Sequence, residues 1–369
     1  MFNNILTFLD GKEFNDSLKN ELYSKYIKMR ELKTDDNTYD NLYLLFNRKT
    51  ETDIQKECSG LILEKNTHNV VAACQRDFEE TPQDKNDFVS AEYCEDGTII
   101  RLYNYNNMWI TATKKCIDAK FSFWSNTKTF NDMFWEVFSH NNMDLSGLDK
   151  NCTYLFVLLH VDNLMVVKHT QNELVYLGNV NNITHVTNDA TDLGLFTVNP
   201  YIKLPERINL TKDDLDNFSE INARYFNPTK RGLIIKYNNN KIYKYDFNEF
   251  TFMQKIRGND PLIRNRYLEL LSQPESLNIL ISYYQEHAFT FSMIHHNLVV
   301  ICNEIYKLYR DTHVKHAFKI EEDHLYYKTI KQLHGQYKAT NKPITKDDVF
   351  IKLQTYNAFI LKKLLKWVN

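Results

Sequence analysis

Residues 94–115 read CEDGTIIRLYNYNNMWITATKK, and the fold turns on them. Apolar and polar side chains alternate on both sides of Asn106-Asn107, the period of two that belongs to half-buried strands. Asn tolerates the left-handed backbone of a tight turn, so the stretch predicts a β-hairpin entered through an Asp96-Gly97 turn. Working outward, residues 60–74 (GLILEKNTHNVVAAC), 153–167 (TYLFVLLHVDNLMVV) and 232–247 (GLIIKYNNNKIYKYDF) show the same short apolar runs broken by polar turns. The last has Asn238-Asn239-Asn240 at its centre and predicts a second hairpin.

Helical patterns flank and interrupt this β region. Over residues 1 to about 35, Ile5, Phe8, Leu9, Phe14, Leu18, Leu22, Tyr23 and Tyr26 recur at helical spacing. Segments around 126–142 and 211–223 predict helices inserted among the strands, the second capped by Thr211 ahead of Asp213 and Asp214. Beyond about 260 the pattern is helical throughout. One helix is expected through Ser276, Leu277, Leu280, Ile281, Tyr284, His287 and Ala288. A second carries the stripe Leu298, Ile301, Cys302, Ile305, Leu308 and Tyr309. A last one, over 346–367, is capped by Thr345 and ends in lysines. The fold class is α+β: an antiparallel β domain with inserted helices over 1–258, the N-terminal helical segment included, then an all-helical domain over 259–369.

Composition narrows the function classes. The 369 residues are 43% hydrophobic and 25% charged, with only 9 Gly and 7 Pro, which suits folded domains better than flexible linkers. A formal net charge of −2 supplies no global field for nucleic acid, so any such site is a local groove. The 6 cysteines are scattered with no CxxC pair, which leaves a zinc ribbon unsupported. The N-terminus lacks the pattern of a secretory signal, and no apolar run has the length of a membrane span. The expectation is an intracellular protein of reduced environment, in host cytoplasm, nucleus or a virion, and not secreted. Abundant Asn, Lys, Ile and Tyr fit an AT-rich genome.

One ordered series carries more specific information. Cys58-Ser59-Gly60 leads into Leu61-Ile62-Leu63, followed by Val70-Val71-Ala72, Arg76-Asp77-Phe78 and Cys94-Glu95-Asp96-Gly97. After the hairpin come Lys114-Lys115, then Tyr154-Leu155-Phe156-Val157, Arg231-Gly232-Leu233 and Lys244-Tyr245-Asp246. In order and spacing this resembles the covalent nucleotidyltransferases, most closely the phage tRNA-repair type of RNA ligase, which pairs such a domain with an all-helical C-terminal domain. The resemblance implies a lysine nucleophile in the first motif, where Cys94 stands here ahead of the expected Asp96 and Gly97. It implies glutamates where Val157 and Arg231 stand, and a second lysine where Asp246 stands. Upstream, an arginine is replaced by Ser59, and a Lys-Phe-Phe-Asn segment by Asp77-Phe78-Glu79-Glu80. Lys244 matches, and Lys114, Lys115 and Lys244 would line what remains of a phosphate groove.

Catalysis in that family rests on an amine nucleophile and on charges that steady the triphosphate. Loss of both with the glycines retained predicts a pseudoenzyme: no catalytic residue, no cofactor, and a structural or binding role in a larger, viral assembly. The expected partners are proteins of that assembly, with RNA or DNA as a second class and no membrane. The alternative is an active ATP- and Mg2+-dependent RNA ligase with a displaced nucleophile such as Lys114 or Lys115. Plainer readings also apply. Cys94 is then a free cysteine beside a turn, Asp96 stabilises the Asp-Gly turn, and the lysines are solvated. His295-His296, His313 and His316 have no carboxylate at matching spacing and so make a poor metal site.

Overall fold

The computed structural model describes residues 2–124, 128–140, 145–163 and 165–366. The chain divides into two compact units, Met1–Met253 and Gln254–Asn369. Among the described residues no helix is long and apolar enough to cross a membrane.

Helices α1 (Asn3–Leu9) and α2 (Asp16–Ser24) open the first unit and bury Ile5, Leu9, Leu18 and Leu22. Asn15 caps α2 by accepting the Leu18 N–H at 3.0 Å. The buried Glu57 does the same for α1, accepting from Ile5 N–H at 2.9 Å and Asn4 Nδ2 at 2.7 Å. The helical pattern expected to about residue 35 stops at Ser24. Tyr26 turns left-handed (φ 60°), and β1 (Ile27–Arg30) pairs antiparallel with β2 (Leu42–Asn47). Ile27-Lys28-Met29-Arg30 alternates apolar and charged, but four residues are too few for the period to stand out behind a helix.

After α3 (Asp53–Glu57) come β3 (Ser59–Glu64) and β4 (Val70–Ala72), completing a sheet in the order β1-β2-β3-β4. Next are β5 (Phe88–Cys94), β6 (Thr98–Tyr105) and β7 (Met108–Ala112). Asn106 and Asn107 between β6 and β7 have φ of 50° and 62°, the left-handed pair a two-residue hairpin demands. Helix α4 (Phe130–Phe138) is shorter than the expected 126–142, of which residues 126, 127, 141 and 142 lie outside the described ones. Its capping box, Thr129 with Asp132, fixes the start. Strands β8 (Cys152–Leu159), β9 (Glu173–Asn181), β10 (Thr187–Asp189), β11 (Ile202–Lys203) and β12 (Arg207–Ile208) follow. The second half of the 153–167 run is a 3-10 turn at Val161–Asn163, not a strand.

Thr211 does not start a helix. Its Oγ1 donates to Asp214 Oδ2 at 2.7 Å, and the carboxylate also engages Arg224 and Tyr225, closing a local turn. Helix α5 (Phe218–Tyr225) begins after it. Then β13 (Gly232–Tyr237) and β14 (Ile242–Asp246) form the second expected hairpin, with Asn240 at φ 57°. The second sheet runs β10-β9-β8-β6-β7 with β11 parallel on β9, and the third β12-β5-β13-β14. All eight residues of β8 are buried. Tyr154, Phe156 and Leu158 pack with Phe134 and Phe138 of α4, Leu155 with the helices and first sheet, and Val157 and Leu159 with Val175. A strand covered on both faces is expected to be largely apolar, and its buried Thr153 hydroxyl donates to Asn182 at 2.7 Å.

Helix α6 (Asn248–Arg257) leads into the helical unit of α7 (Ile263–Glu269), α8 (Pro274–Tyr283), α9 (Ala288–Tyr309), α10 (Tyr327–Thr340), α11 (Lys346–Gln354) and α12 (Ala358–Leu364). The buried stripe of α9 holds Leu298, Ile301, Cys302, Ile305 and Tyr309, as its periodicity predicts, while Leu308 is half-buried. Two helices are broken where one was expected. Residues 285–287 form a 3-10 turn between α8 and α9, and Asn357 caps α12 by accepting the Ile360 N–H at 3.0 Å. An i, i+3, i+4 stripe continues across such a break, so periodicity alone does not expose it. Thr345 caps α11 as expected, in a capping box with Asp348.

Candidate functional site

Strand register assembles the site in the first unit. Gly232 pairs with Cys94 of β5 on one side and Asp246 of β14 on the other, so three of the motif positions stand abreast. A Cβ on Gly232 would lie 1.9 Å from the Tyr245 carbonyl oxygen, so only glycine lets β14 approach. In the second sheet Ile99 pairs with Val157. A Cβ on Gly97 would stand 2.5 Å from the Leu158 carbonyl oxygen. These strands enclose a cavity of about 110 Å3 lined by Cys94, Gly97, Val157, Arg231 and Lys244, with Phe78 and Glu92. An adjoining cavity of about 300 Å3 shares Gln75, Glu92 and Leu177 with it and extends toward Lys236 and Lys241.

Cys94 is buried, and its thiol reaches no acceptor but the Glu95 carbonyl, at 3.6 Å, among the described residues. Burial pushes the thiol up to about 12, although Arg231 and Lys244 pull the other way. It is therefore protonated at neutral pH and a poor nucleophile. The sign of its pH effect follows. An unfolded thiol ionises near pH ~8.5, so the folded state's stability is intact below that and falls as pH rises toward the folded value. Denaturant titrations between about pH 8 and 10 are expected to show a steeper loss for the wild type than for Cys94→Ala. Equal slopes would remove the buried-thiol assignment.

The charged groups of the site are engaged with one another. Arg231 Nε and Nη2 donate to the two oxygens of Asp246 at 2.8 and 2.9 Å. Its guanidinium also covers the Phe250 ring at 4.7 Å. Burial favours neutral Arg231, but Asp246 more than offsets that and raises its pKa. Lys244 Nζ stands 3.8 Å from Asp246 and 5.1 Å over the Phe78 ring. Burial raises the pKa of Glu92, whose carboxylate stands 3.1 Å from Lys236; Glu95 pairs with Lys230. Asp96 is buried and accepts the Val166 and Val167 N–H groups at 2.8 and 2.9 Å. It anchors a distant loop, a correction to the expectation that it serves its own Asp-Gly turn.

The three lysines grouped in the sequence do not form one groove. Only Lys244 lines the cavity. Lys114 Nζ contacts Asp77 Oδ2 at 2.5 Å, where Asn47 Nδ2 and Ser59 Oγ also donate, at 2.9 and 3.3 Å. Burial alone would raise the Asp77 pKa; Lys114 and Asn47 outweigh it and hold it low. Lys115 is exposed, and its carbonyl accepts from Arg30 at 2.7 Å. Glu92, Lys230 and Lys236 were missed. The period of two in β5 carries a signal for the first, since Ser90, Glu92 and Cys94 share a face.

Val157 and Arg231 offer no carboxylate to the cavity, and Glu92 and Glu95 are paired with Lys236 and Lys230. Among the described residues no group of three or more His, Cys, Asp and Glu could hold a metal ion.

No family model matches the chain. Two curated relatives do. One is the immediate-early protein ICP-46 homolog of Invertebrate iridescent virus 6, 23% identical over 309 residues, 77% of this chain and 66% of the relative. The other is the homolog of the same description in Invertebrate iridescent virus 3, 22% identical over 227 residues, 59% of this chain and 48% of the relative. The chain thus spans less than two thirds of the length of the relatives it matches. Similar solved structures include a proposed ATP-dependent DNA ligase from Aquifex aeolicus, with 14% identity, a TM-score of 0.44, and 89% and 81% of the two chains covered. An archaeal ATP-dependent RNA ligase gives 11% identity and a TM-score of 0.45, over 74% of this chain and 71% of that one.

Proposed function

We propose that the first unit is an RNA-ligase-like nucleotidyltransferase scaffold that no longer transfers nucleotides, and that the protein serves as a structural or binding component of a viral assembly. The convergence of Cys94, Gly97, Val157, Arg231 and Lys244 on one cavity supports the scaffold reading, because the resemblance assigns those positions to one site. The loss of chemistry is carried by a single observation. The position that would hold the amine nucleophile holds a buried, protonated thiol. The viral setting draws on the relatives, which are viral immediate-early protein homologs. Its partners there are proteins, with nucleic acid as a second class.

The test is covalent labelling. The purified protein is incubated with α-labelled ATP and a divalent cation beside an active ligase, then run on a denaturing gel. No labelled band is expected. A band that survives denaturation would overturn the pseudoenzyme assignment and send the search to the remaining lysines.

A further inference from the structure

The helical unit has a cavity of its own. At the end of α9 the chain loosens into a π-helical turn, Arg310–Val314, before returning to α10. An opening of about 630 Å3 lies there, lined by His313, His316, Lys319, Lys331, His334 and Lys338. None of the described residues that line it is Asp or Glu. In the flanking segments Asp311 pairs with Lys315 at 2.9 Å and Glu322 accepts from the Tyr327 hydroxyl at 3.0 Å, while Glu321 and Asp323 are exposed.

Histidine geometry adds a second observation. The His313 and His334 rings stack with centroids 4.0 Å apart and planes 11° from parallel. Nδ1 of His334 is buried without a hydrogen-bond partner among the described residues. Burial first, and then their positively charged or ionisable neighbours, Lys338 among them, push both imidazoles below their ordinary values. The three lysines of the lining supply positive charge, and a bound anion would favour the protonated form of both imidazoles. The lining also includes Phe318, Ile330 and Tyr327, and Lys331 lies over the Tyr327 ring at 5.7 Å. The volume suits a small organic ligand.

We infer that this cavity binds a nucleotide, its phosphates held by the lysines and histidines and its base laid against Phe318 and Tyr327. This assignment is independent of the cleft in the first unit. Calorimetry on the full chain at low salt is expected to show ATP binding that weakens as salt rises. Adenosine, which lacks the charge, should not bind. The Lys331→Ala/Lys338→Ala variant removes two exposed side chains, so folding is not at stake, and the Kd should rise about tenfold or more. In proton NMR the His313 and His334 titrations should move upward when ATP is added. A 5′-phosphorylated trinucleotide that displaces ATP would place the ligand at an RNA end; failure to displace it would place the ligand among free nucleotides. An unchanged Kd in the double variant, or pyrophosphate binding as tightly as ATP, would overturn the nucleotide assignment.

Discussion

Arg101→Leu is expected to lower the unfolding free energy of the first unit by about 3–5 kcal/mol. Arg101 is among the largest side chains in the core and is 2% exposed. It has no carboxylate partner in its hydrogen bonds. Its guanidinium donates instead to three carbonyl oxygens: those of Gly60, Thr113 at 2.8 Å and Ala73 at 3.3 Å. These carbonyls belong to β3, the segment after β7 and the segment after β4, so one side chain from β6 bolts the first sheet to the second. Gly60 sits at φ +105°, and a Cβ there would come within 3.2 Å of the guanidinium and 3.0 Å of the Lys114 backbone. Replacing a buried ion pair by apolar groups is often neutral because both charges leave together. Here leucine removes only the donors: the Thr113 carbonyl keeps the Cys116 N–H at 3.3 Å, while the Gly60 and Ala73 carbonyls lose the guanidinium, each lost partner costing about 1–3 kcal/mol. Urea titration should show a lower midpoint with an unchanged slope. A loss below about 1 kcal/mol would mean that water replaces the guanidinium, and that the bolt is dispensable.

Arg101 also marks what the sequence could and could not disclose. The hairpin around Asn106-Asn107 was legible because two consecutive asparagines flanked by alternation have few other uses. The apolar run of β8, Tyr154–Leu159, was legible as a strand for the same kind of local reason. Arg101 sits in that hairpin at an inward position, where a charge breaks the alternation, yet its partners are 41, 28 and 12 residues away. Nothing local names them. The site positions divide similarly. Cys94, Gly97, Val157, Arg231 and Lys244 were grouped through the resemblance, and the cavity brings them together. Lys114 was grouped with Lys244, but its ammonium is captured by Asp77, a tertiary contact that spacing cannot foresee. Arg231 and Asp246 each looked like a loss when taken one at a time. Only the β13–β14 register, with Gly232 opposite Asp246, shows that the two departures answer each other.

That answer makes the second large prediction. Where the resemblance implies glutamate and lysine, this chain has arginine and aspartate, so the polarity of the pair is reversed while the pair is kept. Asp246→Ala strands a guanidinium that is 19% exposed, beside Lys244. Partial exposure discounts the cost of a fully buried break to about 2 kcal/mol. Arg231→Ala leaves Asp246 with Lys244 as a neighbour and is expected to cost less. The exchanged pair, Arg231→Glu with Asp246→Lys, should recover most of the loss, and a double-mutant cycle should give a coupling of about 1–3 kcal/mol. Additive single effects would mean that the pair is incidental to the fold. The exchanged chain also tests function more sharply than the wild type does. It carries the ligase polarity on the same strands, yet Cys94 remains protonated and Val157 still offers no carboxylate. Adding Cys94→Lys supplies an amine at the nucleophile position, but not the glutamate that the resemblance implies at Val157. Labelling by α-labelled ATP is expected to stay absent in the triple variant. If it appeared, the nucleophile and this one ion pair would be all that separates the scaffold from a working nucleotidyltransferase.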